Sequence, residues 1–258
     1  MKKALRVPVE KLGEEPYASV MCYPKPDKRE LKKRLKELEK LGVKALEFKG
    51  AKEVAKLKVL GKGCVGIVVT AYKNNEKTAL KIRRVDADRA RMYHEAEMLE
   101  KANSVNVGPK LLDVSRNFLL MQFIDGELLP EWLEKPVGKN VVKRVLREVL
   151  EQCWRLDKAG LDHGELSHAP KHVIIDGKGE PFIVDFETAS VNRKVSNVTS
   201  MGQFLFISGI TAERVAEKLG GVDKKVLIKA LRVYKRDKNR ENFEKILTAC
   251  GLLKQHSL

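Results

Sequence analysis

Sulfur and aromatic rings are scarce in this chain. Its 258 residues hold four cysteines and two tryptophans, and aromatic residues make up 6%. Cys22, Cys64, Cys153 and Cys250 lie far apart, and no pair has C-x-x-C spacing. That argues against a zinc or redox motif and for a reducing cytoplasm. No apolar run reaches the length of a membrane span. The N-terminal MKKALRVPVEK has basic residues but no apolar stretch after them, so it does not read as a signal peptide. Charge is plentiful at 33%, beside 43% apolar residues, which fits a soluble globular protein with one large core or two modest lobes. Abundant Lys and Glu with few aromatics also suit a thermophile.

Acidic residues are in short supply at both ends. Residues 1–60 hold 17 Lys+Arg against 9 Asp+Glu, and residues 218–258 hold 11 against 4. The middle, 61–217, holds 23 against 22. The net charge of +16 is therefore carried by the ends. Ion-pair networks need both signs and would not produce this excess. Segregated positive charge points to a polyanionic partner, nucleic acid before an acidic membrane surface, or else to a solubilising role.

The middle is organised around Leu57–Thr70, LKVLGKGCVGIVVT, where Gly61, Gly63 and Gly66 fit G-x-G-x-x-G. Apolar, β-branched runs on both sides make it strand–loop–strand, whereas a dinucleotide-binding glycine loop runs into a helix. A third strand-like run, Thr78 to Ile82, carries Lys81. A glycine-rich hairpin followed by that lysine is how protein-kinase-like enzymes cover and pair the phosphates of ATP. Glycine lets backbone N–H groups approach phosphate oxygens without a Cβ in the way. The plain alternative is a β-hairpin with a loose turn. Candidate nucleotide contacts are Gly61, Lys62, Gly63, Cys64, Val65, Gly66, Val68, Ala79 and Lys81.

In chain order, residues 1–26, with Pro16, Pro24 and Pro26, read as an extended lead-in. Asp27 with Glu30 caps a helix whose apolar face is Leu31, Leu35, Leu38 and Leu41, stopped by Gly42. Its other face, including Lys32 and Lys36, touches a phosphate backbone or is simply solvated. Val43 to Phe48 reads as a strand. A helix is expected from near Asp86, with Glu95 turned inward because Met98 and Leu99 follow at +3 and +4. Val107–Val114 and Asn117–Ile124 read as strands that complete a five-stranded antiparallel sheet. Met121, Gln122 and Ile124 fall where a kinase hinge would meet adenine. Glu127–Glu134 reads as a short helix and Lys139–Lys158 as a long one, with Trp132 and Trp154 as core anchors. These readings give three regions: a basic extension (1–56), a sheet-rich N-lobe (57–125) and a mostly helical C-lobe (126–258).

A second strong signal follows: His163-Gly164-Glu165-Leu166-Ser167, then Lys171-His172, then two short strands around a glycine turn ending in Asp185-Phe186-Glu187. Over roughly 57–210 these residues resemble the protein-kinase-like superfamily, in the reduced form of the RIO kinases and the small archaeal kinase of the KEOPS complex. The resemblance implies an α+β, two-lobed fold. By it, Lys81 holds the α- and β-phosphates, Glu95 pairs with that lysine, Glu165 occupies the base position and Asp185 binds Mg²⁺. Three departures stand out. Glu165 replaces the usual Asp. The loop is two residues longer, which puts His172 at the usual metal-binding Asn, so His172 and Lys171 meet phosphate instead or one metal alone is bound. No activation segment or A-P-E follows Asp185.

The VLGKGCVGIVV–ALKIRR–DADR run, HGELS with KHVII, and the basic extension are more narrowly similar to archaeal RNA kinases that phosphorylate the 2′-hydroxyl of a variable-loop uridine in tRNA. That resemblance implies ATP and Mg²⁺ as cofactors, tRNA as partner and tRNA stabilisation at high temperature, with no membrane or obligate protein partner. A helix over Lys224–Arg236 supplies a basic stripe, Lys225, Lys229, Arg232 and Arg236, that suits RNA phosphates or is a solvated face. Two other readings stay open: an atypical Ser/Thr protein kinase and an RNA-binding pseudokinase.

Overall fold

The computed structural model describes residues 5–88 and 91–253. Two compact units are present: Met1–Glu100 with Pro109–Phe123, and Lys101–Gly108 with Ile124–Leu258.

The first unit contains β1 (Leu5–Pro8), α1 (Tyr17–Met21), α2 (Lys28–Lys40), β2 (Val43–Phe48), β3 (Lys52–Val54), β4 (Leu57–Val59), β5 (Gly61–Lys62), β6 (Gly66–Lys73) and β7 (Glu76–Arg83). Helix α3 (Arg91–Ser104), of which the part up to Glu100 belongs to this unit, β8 (Leu111–Val114) and β9 (Phe118–Gln122) follow. The main sheet is antiparallel, ordered β1-β2-β6-β7-β9-β8, with β5 paired to β6. Strands β6 and β7 turn through Asn74 and Asn75, both at positive φ, the conformation a two-residue hairpin loop requires and asparagine tolerates.

This sheet is larger than the five strands expected. Strands β1 and β2, from the basic N-terminal stretch, join it because their apolar residues have a core to enter. Val7, Val43, Leu46 and Phe48 pack with Leu38, Val69, Leu80 and Phe118. No break in packing falls at residue 56. The lead-in is not extended throughout either: α1 buries Ala18, Val20 and Met21. Proline restrains only its immediate neighbours and leaves room for a helical turn between Pro16 and Pro24.

Helix α2 starts as its cap dictates, the Asp27 carboxylate accepting from the Glu30 N–H at 2.6 Å. Leu38 is buried and Lys32 and Lys36 are exposed. Helix α3 is described from Arg91, past the Asp86 expected, after a turn at 85–86 and a bend at 87; Arg89 and Ala90 of the DADR run lie outside the described residues.

The second unit contains β10 (Gly126–Leu128), α4 (Leu129–Glu134), α5 (Lys139–Lys158), β11 (Val173–Asp176) and β12 (Pro181–Ile183). Four helices close it: α6 (Asn197–Phe206), α7 (Ile210–Leu219), α8 (Lys224–Arg236) and α9 (Arg240–Ala249). Strands β10-β11-β12 form a small antiparallel sheet. Glu127, expected in a helix, pairs across β10 with Ile175, and the helix starts only at Leu129. Helix α5 buries Val142, Val145, Leu146, Val149, Leu150, Cys153 and Leu156, one continuous stripe at helical spacing. Trp132 is buried, and Trp154 stacks on Phe243 of α9 with ring centroids 5.8 Å apart. Among the described residues no helix is long and apolar enough to cross a membrane.

Candidate functional site

In the first unit, strand register brings the nucleotide candidates onto one sheet face. Residues directly opposite on paired strands share a face, as do residues two apart on one strand. Gly61 pairs with Val68, Val68 with Lys81, and Ala79 with Met121. Gly61, Val68, Ala79, Lys81 and Met121 therefore line one face. Helix α3 covers part of it, with Met92 and Ala96 packed on Val65 and Leu119. Gln122 ends β9, and Ile124 lies past it as the first residue of the second unit's longer segment.

Lys81 and Glu95 meet in this layer, with Lys81 Nζ 2.9 and 2.7 Å from the two Glu95 carboxylate oxygens. Lys81 is 5% exposed and Glu95 2%. Desolvating either ion alone would cost several kcal/mol, roughly the penalty that pairing offsets. Gly66 makes room for the lysine. A Cβ there would sit 2.9 Å from Lys81 Cγ and 3.1 Å from the Ile82 carbonyl oxygen. The loop tip is held by the Gly63 N–H donating to Gly66 O at 2.8 Å and the Arg84 N–H donating to Val65 O at 2.7 Å. Lys62, Gly63 and Cys64 are exposed, so the tip is free to receive phosphate oxygens. A glycine that yields to Lys81, an exposed glycine tip and a fixed ammonium fit a nucleotide triphosphate.

Two features here escaped the sequence reading. Tyr23 lies against the glycine loop, with Lys62 Nζ 4.8 Å from its ring centroid and Arg84 Cζ 5.2 Å. Arg34 of α2 is fully buried. Its guanidinium donates to the Met21 and Arg83 carbonyls, each at 2.6 Å, and to Asn117 Oδ1 at 3.1 Å, and it pairs with Glu30 at 3.0 Å. Glu37 in turn accepts from the Asn117 amide at 2.7 Å. Helix α2 is thereby bonded to the end of the strand that carries Lys81. The signal was present: Arg34 lies three residues after Leu31 and four before Leu38, on the apolar face.

In the second unit the loop from Asp162 to His172 is pinned at its start. Asp162 exchanges backbone hydrogen bonds with Ser190, and its carboxylate accepts from Ser196 N–H and Arg193 Nε–H, both at 3.0 Å. The His163 N–H donates to Asn197 Oδ1 at 2.9 Å, at the head of α6. Gly164 has φ +92°, and a Cβ there would strike Arg193 Nη2 at 2.4 Å. Asp162, Arg193 and Asn197 were not singled out from sequence, because their partners are some thirty residues away.

Beyond that anchor, Glu165 and Asp185 are half-exposed and carry the carboxylates. Asp185 takes the left-handed conformation, φ 70° and ψ 71°, where β12 gives way to the 3-10 turn Phe186–Thr188. Asp tolerates that region at a cost of roughly 1 kcal/mol, and such outliers gather at functional positions. Two imidazoles lie behind the carboxylates. His163 is buried, its Nε2 donating to Val184 O at 3.1 Å and its ring 5.3 Å from that of His172. Burial, reinforced by neighbouring His172, pushes its pKa down to about 4.

His172, expected beside the metal, is 1% exposed and faces Glu165, with Nε2 3.1 Å from Glu165 Oε2 and 3.9 Å from Asp185 Oδ2. A buried imidazole is a poor ligand for a hard cation, whereas the Asp185 carboxylate, open to solvent, suits Mg²⁺. The donor set fits one metal on Asp185 and does not fit His172 as a second ligand. Lys171 and His168 are exposed on the same loop.

The stripe on α8 is laid out as its spacing requires. Leu227, Leu231 and Tyr234 are buried, while Lys225, Lys229, Arg232 and Arg236 are exposed.

None of the curated proteins matches the chain. The family model for the RIO domain matches residues 43–199, which takes in β2, the glycine loop, Lys81, Glu95, the loop bearing Glu165 and Asp185. The chain belongs to the RIO domain family and is an atypical, kinase-like ATP-binding protein.

Proposed function

We propose that this RIO-domain chain is an ATP- and Mg²⁺-dependent RNA kinase that phosphorylates the 2′-hydroxyl of an internal, variable-loop uridine of tRNA, in the cytoplasm. The observation that carries this reading is the exposed row Lys225, Lys229, Arg232 and Arg236 on α8, in a chain whose excess positive charge is confined to its ends. Such a row suits phosphates spaced along an RNA backbone. Lys32 and Lys36 on α2 add a second exposed basic face. A further observation favours a non-peptide acceptor. After the Phe186–Thr188 turn, α6 begins already at Asn197, so the activation segment on which typical kinases lay a peptide is missing.

When bound, ATP with Mg²⁺ supplies the transferable phosphoryl group and neutralises charge that develops on it. This chain's residues do the rest. The Gly61–Gly66 loop offers backbone N–H groups to the phosphates, and Lys81, fixed by Glu95, adds a positive charge. Asp185 would hold the cation. Glu165 would orient the acceptor hydroxyl and take its proton as the new O–P bond forms, while the bond from the γ-phosphorus to the β–γ bridging oxygen breaks and ADP leaves with the electron pair.

A Ser/Thr protein kinase is the rival reading. The test uses purified protein, Mg²⁺ and ATP labelled on the γ-phosphate, with unmodified tRNA in one tube and a mixed protein extract in another. Label in RNA that maps to an internal uridine is expected. Label in protein alone would overturn the reading. The Lys81–Glu95 pair and Asp185 speak against a pseudokinase, and label in neither tube, with RNA still bound, would favour one.

A further inference from the structure

The base carboxylate and the buried imidazole next to it make an incomplete pair. His172 Nε2 lies within hydrogen-bonding distance of Glu165 Oε2, at 3.1 Å. Both ring nitrogens of His172 are nonetheless buried without a well-formed hydrogen bond, and the backbone of Glu165 is close enough to act on the ring as well. A donor out of reach of water cannot be satisfied by solvent, so the nearest acceptor that can move should take it. His172 cannot move far. Its ring is 1% exposed and backed by His163, its backbone N–H donates to Ala169 O at 3.2 Å, and its backbone carbonyl accepts from the Val184 N–H at 3.0 Å. Glu165 can move, because its side chain is 39% exposed. Asp185 Oδ2, at 3.9 Å, is out of hydrogen-bonding range.

We infer that His172 is a positioning residue for Glu165: its Nε2–H captures Oε2, which leaves Oε1 for the acceptor hydroxyl. The inference rests on the reading of Glu165 as the base. It explains two departures together. A glutamate is one methylene longer than aspartate and has one more torsion to fix, and a misplacement of about an ångström can cost about a hundredfold in rate. The two-residue lengthening of the loop carries an imidazole to the place from which that longer arm can be held. Catalytic hydrogen bonds commonly align only when substrate is bound, so the incomplete bond is that of a pair ready to close.

The test separates positioning from metal binding and begins without substrate. Long-range ¹H–¹⁵N spectra of the protein, free of nucleotide and Mg²⁺, should show His172 as the Nε2–H tautomer, with a slowly exchanging ring proton that shifts or vanishes in Glu165→Ala. The Nδ1–H tautomer, or a signal indifferent to Glu165→Ala, would overturn the inference whatever the acceptor proves to be. Kinetics then use two amides. Glutamine places its NH₂ near the position of Nε2. Asparagine ends near Nδ1 but offers the oxygen that a metal-binding Asn would. His172→Gln should keep kcat within a few-fold. His172→Asn should lose about a hundredfold in kcat with KM for ATP and the Mg²⁺ dependence unchanged. Wild-type activity in His172→Asn, or a changed Mg²⁺ requirement, would return His172 to the metal.

Discussion

The first unit buries its ionisable groups as ions: Lys81 against Glu95, and Arg34 and Arg83 among carbonyls and the Asn117 amide. In the second, beside the Asp162–Arg193 pair, burial lowers the pKa of His163 and His172 and raises that of Asp157 although Asn197 and Tyr234 hydrogen-bond it. A phosphate-handling layer needs a permanent positive charge, and that charge survives burial only if its partners are built in. A proton-handling loop needs groups whose charge is not fixed, which burial and hydrogen bonding supply.

Removing the charges is the harshest way to break this comparison. Lys81→Ala and Asp185→Ala should each lower phosphate transfer by about a thousandfold or more while RNA binding stays nearly intact. Loss of RNA binding alongside transfer would mean that catalytic and docking surfaces are not separate. Next comes the buried arginine. Arg34→Met leaves the Met21 and Arg83 carbonyls without this donor, and Glu30 with Arg83 alone at 3.6 Å, and should destabilise the protein by about 3 kcal/mol, read as a lowered urea midpoint. A change below about 0.5 kcal/mol would show that α2 is only laid against the sheet.

The neutral histidine gives a pH signature of defined sign. The pKa of His163 falls from 6.5 in the unfolded chain to about 4 in the fold. Between those values the unfolded chain binds the proton and the folded chain does not, so stability should fall as pH drops through that window, by about 2–3 kcal/mol. His163→Gln should flatten that slope in denaturant melts taken from pH 7 to 4; an equally steep slope would assign it to other groups. The mildest effect concerns docking. Charge reversal at Lys229 and Arg232 should weaken tRNA binding about tenfold and reduce the slope of log affinity against log salt by about 1.5. An unchanged salt slope would remove α8 from the interface.

Much of the first unit was legible in the sequence, because local rules govern it. Asp27 and Glu30 announce the start of α2, and Met98 and Leu99 at +3 and +4 predict that Glu95 turns inward, where it meets Lys81. The bounds of α5 and α8 follow from helical periodicity in the same way. What stayed hidden depends on contacts distant in sequence. Strand β1 pairs with residues near 46, and no short-range pattern reveals that. Arg34 stands on the apolar face of α2, but charge alone marks it for solvent until Asn117 and the Arg83 carbonyl come into view. Loop length puts His172 at the metal position, whereas its direction toward Glu165 depends on packing against His163, which spacing does not encode.

The most direct test of the acceptor chemistry changes one atom of the substrate. Phosphate transfer from γ-labelled ATP would be compared on a tRNA transcript and on the same transcript with 2′-deoxyuridine at its variable-loop uridine. A ribose 2′-hydroxyl acceptor predicts loss of label with unchanged binding of the deoxy-substituted RNA. Equal labelling of both transcripts would contradict the account.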